Sequence, residues 1–252
     1  LLYLPHKPRT TVLMRRGESV TERINRGDLL LYYPFEDIDL FLQSVQESAQ
    51  DPHVISIHIT IYRLARNSKL VESLVKAAEA GKEVVVLMEL RARFDEENNI
   101  NWSETLIEAG CKVFYGFDDL KTHSKVCLIT SIMDNQLHYI TQVGTGNYNE
   151  STSRLYTDLS FITADQSIGQ DANHFFKDML VGVSDGQYGE LINSPFLLKE
   201  RVLALMDAQI ERARQGLEAS MLFKLNSMTD RDIIDKLAEA SQAGVEVDMI
   251  VR

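Results

Sequence analysis

The sequence predicts an α/β protein: mixed sheets flanked by helices, two such domains in tandem, the second incomplete. Three observations carry this. Apolar runs rich in β-branched residues alternate with amphipathic stretches of helical period. A strand–helix–strand segment recurs: "SLVKAAEAGKEVVVLME" (73–89) resembles "KLAEASQAGVEVDMIVR" (236–252), and aligning Gly81 with Gly244 also places "SIHITIYR" on "ASMLFKLN". Between the copies, "KVCLIT", "LHYITQVG" and "DLSFIT" follow one another with short connections, the mark of antiparallel or mixed strands.

In chain order, residues 1–25, with "PHKPRTT" and "MRRGES", read as a connector. "FEDIDLFLQSVQESAQD" has helical spacing through Ile38, Phe41, Leu42 and Val45. "VISIHITIY" (54–62) alternates as a strand. Ser68 is placed to cap a helix running to Ala80, with Gly81 as its stop. "EVVVLMEL" is a nearly continuous apolar strand, as in a parallel sheet covered on both faces. "EENNINWSETLIEAG" is a helix ending at Gly110, and "KVFYG" a strand. After the three-strand run, "SIGQDANHFFKDMLVG" is a helix. "DGQYGELINSP" is loop-like and marks a boundary near 190, and "LLKERVLALMDAQIERARQG" is a long amphipathic helix. The expected organisation is connector 1–25, a first α/β domain 26–190, and the start of a second, 191–252. The chain begins without methionine and stops inside a strand-like run, so it reads as a piece of a longer protein.

The net charge of -11 argues against a general nucleic-acid binder but permits a local anion site. Cys111 and Cys127 lack metal-type spacing and read as small buried hydrophobes, and no apolar run is long enough to span a membrane.

Chemistry concentrates at "KTHSK". Two residues apart on an extended segment, His123 and Lys125 project to the same side: an imidazole able to attack phosphorus beside a cation able to offset charge on the transferring oxygens. "GTGNYN" (144–149) sets glycines beside Thr145, Asn147 and Asn149, allowing close backbone approach and offering neutral contacts to phosphate; a plain turn is the bland alternative. Arg63 and Arg93 follow strands, where the carboxyl ends of an open α/β sheet form the binding edge, and could clamp phosphate. Arg66, Arg91, Lys121 and Arg154 thicken this basic cluster. Asp95, Glu96 and Glu97 suit a helix start better than a metal site. Tyr156, just before a strand, is either packing or a purine stacker. His6, His53, His58, His138 and His174 read as structural or solvent-facing.

Taken together, "ITIYRLA", "ELRARFDEENNINW", "LKTHSKVCLI", "GTGNYNESTSRLYTDLSFITAD" and "ASQAGVEVDMIVR" resemble the bacterial polyphosphate kinases of the histidine-phosphorylating kind. The resemblance covers about 30 to 252 and implies two phospholipase D-like domains in tandem. It also implies reversible transfer of the γ-phosphate between ATP/ADP and inorganic polyphosphate through a phosphohistidine, with Mg²⁺. Under it, His123 is the phosphorylated histidine with Lys125 beside it, Arg63 and Arg93 belong to the triphosphate and magnesium site, and Tyr156 and Arg252 contact nucleotide. A homo-oligomer and a cytoplasmic location, peripheral at the inner membrane at most, are also implied. The second essential histidine would lie beyond the chain. Two departures stand out: Thr130 occupies the place where the related phosphodiesterase motif has an acid five residues after the lysine, and "LLYYPF" lacks the histidine usual before its proline. The alternatives are a phospholipase D-type phosphodiesterase and a phosphate-binding piece without turnover.

Overall fold

The computed structural model describes residues 7–9, 14–91, 96–117 and 119–252. His6, Arg93 and Asp95 lie outside the described residues. The chain divides into two compact units, Leu1–Leu191 and Ile192–Arg252.

The first unit holds helices α1 (Val20–Arg26), α2 (Asp39–Gln50), α3 (Lys69–Glu79), α4 (Glu96–Glu108) and α5 (Gln166–Leu180), with strands β1 (Leu29–Tyr33), β2 (Val54–Ile61), β3 (Glu83–Met88), β4 (Lys112–Tyr115), β5 (Val126–Met133), β6 (Gln136–Gly144) and β7 (Asp158–Thr163). One seven-stranded sheet runs β1-β7-β6-β5-β2-β3-β4. β2, β3 and β4 are parallel, joined by the α3 and α4 crossovers; the other pairings are antiparallel. The sheet is therefore mixed, as the sequence predicts.

Strand parity decides what each face buries. Ile57, Ile59 and Ile61 of β2, Val84, Val86 and Met88 of β3 and Cys127 and Ile129 of β5 point into one core with Phe41, Val45, Leu70, Leu74 and Leu106 of α2, α3 and α4. The opposite parity, Val126, Leu128 and Tyr139, meets Ala172 and Phe176 of α5. Both cysteines are buried and unpaired, as expected. Local signals agree with the larger pattern: the Ser68 hydroxyl caps α3 by accepting the Val71 N–H, and Gly81 takes the left-handed conformation that ends the helix. Within the stretch read as connector, Val20–Arg26 instead forms α1. A capping box between Ser19 and Glu22 starts it, and Val20 and Ile24 enter the core.

The second unit holds α6 (Leu198–Arg214), β8 (Ser220–Leu225), α7 (Arg231–Gln242) and β9 (Glu246–Val251). β8 and β9 are parallel, joined by α7, so the repeated strand–helix–strand unit exists as one topology in both units. Its register needs one correction. Ser56 faces Glu83 in the first unit, whereas Ser220 faces Glu246 in the second, so the second copy has one residue fewer between paired positions. The sequence alignment of the leading strands is therefore off by one. Shifting it puts Met221 and Phe223, which pack inward, on Ile57 and Ile59; the unshifted match would put the exposed Ser220 on the fully buried Ile57. Among the described residues, no helix is long and apolar enough to cross a membrane.

Candidate active site

The carboxyl ends of β2 and β3 lie beside the start of β5, because β5 runs antiparallel to β2. His123 and Lys125 sit there, on the extended segment leading into β5. Lys125 Nζ lies 3.0 Å from His123 Nδ1 and 2.5 Å from the His123 carbonyl oxygen. The side-by-side geometry expected from the two-residue spacing is present. Lys125 is 5% exposed, while His123 reaches solvent.

Tyr62, just past β2, is the platform beneath both. Its ring meets the imidazole edge-on at 4.6 Å, Lys125 Nζ lies 5.3 Å from its centroid, and the Arg63 guanidinium carbon lies 5.5 Å away. Three cationic or potentially cationic groups thus gather round one aromatic ring.

Their electrostatics follow. Burial lowers the pKa of the Lys125 ammonium to about 8; Asp158 pulls it back up and Arg63 lowers it further. Burial, then Lys125, Arg63 and Lys121, hold the His123 imidazole below its ordinary value. Both effects favour the neutral imidazole over the imidazolium.

The "GTGNYN" loop follows β6. The Gly144 N–H donates to the Lys125 carbonyl at 2.9 Å, joining this loop to the histidine segment. Thr145 Oγ1 donates to Asp158 Oδ1 at 2.8 Å. A Cβ on Gly146 would stand 2.8 Å from Asp158 Cβ, Cγ and Oδ2, so only glycine lets the loop pass. Asn147 Oδ1 is buried without a protein hydrogen bond. Asn149 Oδ1 accepts the Ser151 and Thr152 N–H groups at the entry to the 3-10 turn Thr152–Arg154. Tyr156 follows that turn, exposed.

Of the wider basic cluster, Arg91 donates to the Phe117 and Leu120 carbonyls and approaches Glu89, and Lys121 donates to the Arg91 carbonyl. Both fasten the loop before His123. Arg66 and Arg154 are exposed. Arg252 directly follows β9 in the second unit; its N–H donates to the Leu225 carbonyl, as the Glu89 N–H donates to the Ile61 carbonyl in the first. Arg252 is thus the counterpart of Glu89 in the repeated unit.

Sequence reasoning missed Tyr62, Asp158, Glu89 and Asn99. Asn99 is fully buried in α4 and donates to the Tyr62 and Glu89 carbonyls at 2.9 Å each, tying together the ends of β2 and β3; Asn98 and Trp102 hold the Leu64 and Ala65 carbonyls. The run "NNINW" at helical spacing was the available signal. Glu96 and Glu97 occupy the first turn of α4, where acids complement the helix dipole. Thr130 lies farther along β5, opposite Tyr139 and Ser56; the carboxylate that acts on Lys125 is Asp158.

No cluster of three metal-ligating side chains occurs among the described residues. The groups round His123 are donors and cations, and the Glu89 oxygens already accept the Arg91 and Thr122 N–H groups. This set suits an anion rather than a protein-held Mg²⁺, which needs oxygen ligands. Among the described residues, Mg²⁺ would fit here as the companion of a nucleotide's phosphates.

Residues 19–185 match the family model described as polyphosphate kinase C-terminal domain 1, and residues 191–252 match polyphosphate kinase C-terminal domain 2. A polyphosphate kinase from Staphylococcus saprophyticus is 45% identical over 228 residues, covering 90% of this chain and 32% of that protein. The crystal structure of polyphosphate kinase from Porphyromonas gingivalis superposes with TM-score 0.85 at 34% identity, over 99% of this chain and 42% of that one. Phosphatidylserine synthase from Haemophilus influenzae shares the fold at TM-score 0.53 and 11% identity, over 88% of this chain and 61% of that one. The chain spans about a third of the length of the curated relatives it matches.

Proposed function

The chain belongs to the polyphosphate kinase family, and from that premise we propose that it supplies the phosphoryl-transfer centre of an ATP:polyphosphate phosphotransferase. The observation that carries the reading is the neutral His123 held 3.0 Å from the Lys125 amine, over the Tyr62 ring and beside Arg63, at the sheet edge where ligands bind.

In the proposed step Nε2 attacks from the tautomer that carries the ring proton on Nδ1, with the Lys125 ammonium donating to the His123 carbonyl oxygen. The γ-phosphoryl group of ATP enters with its terminal oxygens towards Arg63 and Lys125. The His123 lone pair forms a nitrogen–phosphorus bond as the bond from the γ-phosphorus to the bridging oxygen breaks, and ADP leaves with that electron pair. The terminal oxygen of a polyphosphate chain then attacks the phosphohistidine, lengthens by one phosphate and returns His123 to its neutral form. The steps are reversible. Catalysis of this kind rests on position and charge neutralisation, which a preorganised cluster of cations supplies. Mg²⁺ bound with the nucleotide would supply further charge neutralisation on the phosphates, while Arg63 and Lys125 hold the terminal oxygens. Family resemblance alone gives Arg93, which lies outside the described residues, a triphosphate role and gives Tyr156 and Arg252 nucleotide contacts; Asn147 offers a neutral contact to phosphate.

The test is polyphosphate-dependent formation of ATP from ADP by the full-length protein. Hydrolysis of a model phosphodiester without any ATP formation would replace the kinase reading with the phosphodiesterase one.

A further inference from the structure

The segment that carries His123 is hung between two buried posts. Thr60, fully buried at the end of β2, donates its hydroxyl to the Ser124 carbonyl at 2.8 Å, and its Oγ1 accepts the Val126 N–H at 3.0 Å. The backbone ladder between β2 and β5 extends only to Ile59 and Cys127 at this end, so the Thr60 side chain continues the pairing where main-chain bonds stop. On the other side, Glu89 Oε2 accepts the Thr122 N–H at 2.9 Å, and Oε1 accepts the Arg91 N–H at 2.8 Å. Glu89 is 3% exposed. One post therefore grips the residue before His123, the other the residue after it. Arg91 and Lys121 stiffen the same loop through the Phe117, Leu120 and Arg91 carbonyls.

Buried glutamate is rare unless it is paired. Thr60 and Glu89 reach across strands to the neighbours of a single side chain, and the carboxylate spends both oxygens on backbone N–H groups. A buried carboxylate holding two such donors is costly to replace, because each N–H left without an acceptor pays its desolvation in full. A nucleophile that must meet phosphorus in line gains most from such fixing, since misplacement by about 1 Å costs on the order of 100-fold in rate.

We infer that Thr60 and Glu89 are positioning residues: they touch no substrate and set the backbone from which His123 attacks. The inference rests on His123 being the nucleophile.

The experiment follows the rate of acid-labile labelling by γ-labelled ATP in the full-length protein, comparing wild type, His123→Ala, Thr60→Val, Thr60→Ser and Glu89→Gln. Thr60→Val and Glu89→Gln are expected to slow labelling at saturating ATP by about 10- to 100-fold while the half-saturating ATP concentration stays within about twofold, since the triphosphate contacts are untouched. Thr60→Ser keeps the hydroxyl and is expected to label near the wild-type rate. The Thr60 pair decides the matter even if Glu89→Gln fails to fold. Wild-type labelling rates in folded Thr60→Val and Glu89→Gln would overturn the inference, as would Thr60→Ser impaired as badly as Thr60→Val. Wild-type protein without a His123-dependent label would overturn the nucleophile reading itself, a result distinguishable from the other two because it appears before any positioning variant is compared.

Discussion

Keeping an ammonium at Lys125 costs the fold stability. The amine ordinarily titrates near 10.5, and burial brings it down to about 8 in the folded protein. Below pH 8 both folded and unfolded chains carry this proton, and the full desolvation penalty applies. Between about 8 and 10.5 the unfolded chain binds more protons, so stability rises with pH there and levels off above. The shift corresponds to a penalty of about 3 kcal/mol at pH 7. Lys125→Met is therefore predicted to raise Tm by several degrees at pH 7, to flatten the rise in stability between pH 8 and 10, and to abolish labelling by ATP. Thermal unfolding across that pH range checks it; a lower Tm at pH 7 would show that the lysine's bonds outweigh its desolvation. At this scale the sequence disclosed His123, Lys125 and Arg63, because spacing along one strand and its end fixes where they point. It did not disclose Tyr62 or Asp158. Nothing local marks a tyrosine as the platform beneath two residues from another strand, or an aspartate at the start of β7 as the acid acting on Lys125. Both roles arise only when the sheet brings β2, β5 and β7 to one edge.

Among the elements, α5 shows how closely a helix must approach to close the second face of the sheet. Gly169 lies against Tyr139 of β6, and a methyl group there would overlap the tyrosine's Cβ and ring. The overlap involves the root of the side chain, which cannot swing away. Gly169→Ala gains helix propensity of about 1 kcal/mol but is predicted to lose more through overpacking, for a net destabilisation of about 1–3 kcal/mol measured by urea unfolding. Helices and long strands were legible because their apolar periods are unambiguous. β1 was not: its burial alternates along Leu29–Tyr33, yet its outward residues, Leu30 and Tyr32, are also apolar, so no polar alternation appears in the letters. The seven-residue α1 escaped for the opposite reason, being too short for periodicity, although its S-x-x-E box was present to be read. The one-residue slip in the repeat shows the limit of matching apolar letters. Parity, not similarity, fixes which strand residues face a core.

The whole chain joins an acidic surface to a basic centre. A net charge of -11 would repel polyanions, yet after burial it is Lys125, Arg63 and Lys121 that lower the pKa of the His123 imidazole. A local cluster running against the global sign suits the proposed phosphate substrate. The duplication adds a second lesson: the position that holds Glu89 in the first unit holds Arg252 in the second, so the same strand end became a backbone post in one copy and a nucleotide-facing cation in the proposed role of the other. The measurement that tests the central claim most directly is peptide mapping by mass spectrometry, at alkaline pH, of the full-length protein after incubation with ATP and Mg²⁺. The account predicts a single phosphoryl group on the peptide that contains His123, lost on adding polyphosphate and absent from His123→Ala. A phosphoryl group on any other residue, or none while ATP-dependent polyphosphate growth proceeds, would contradict it.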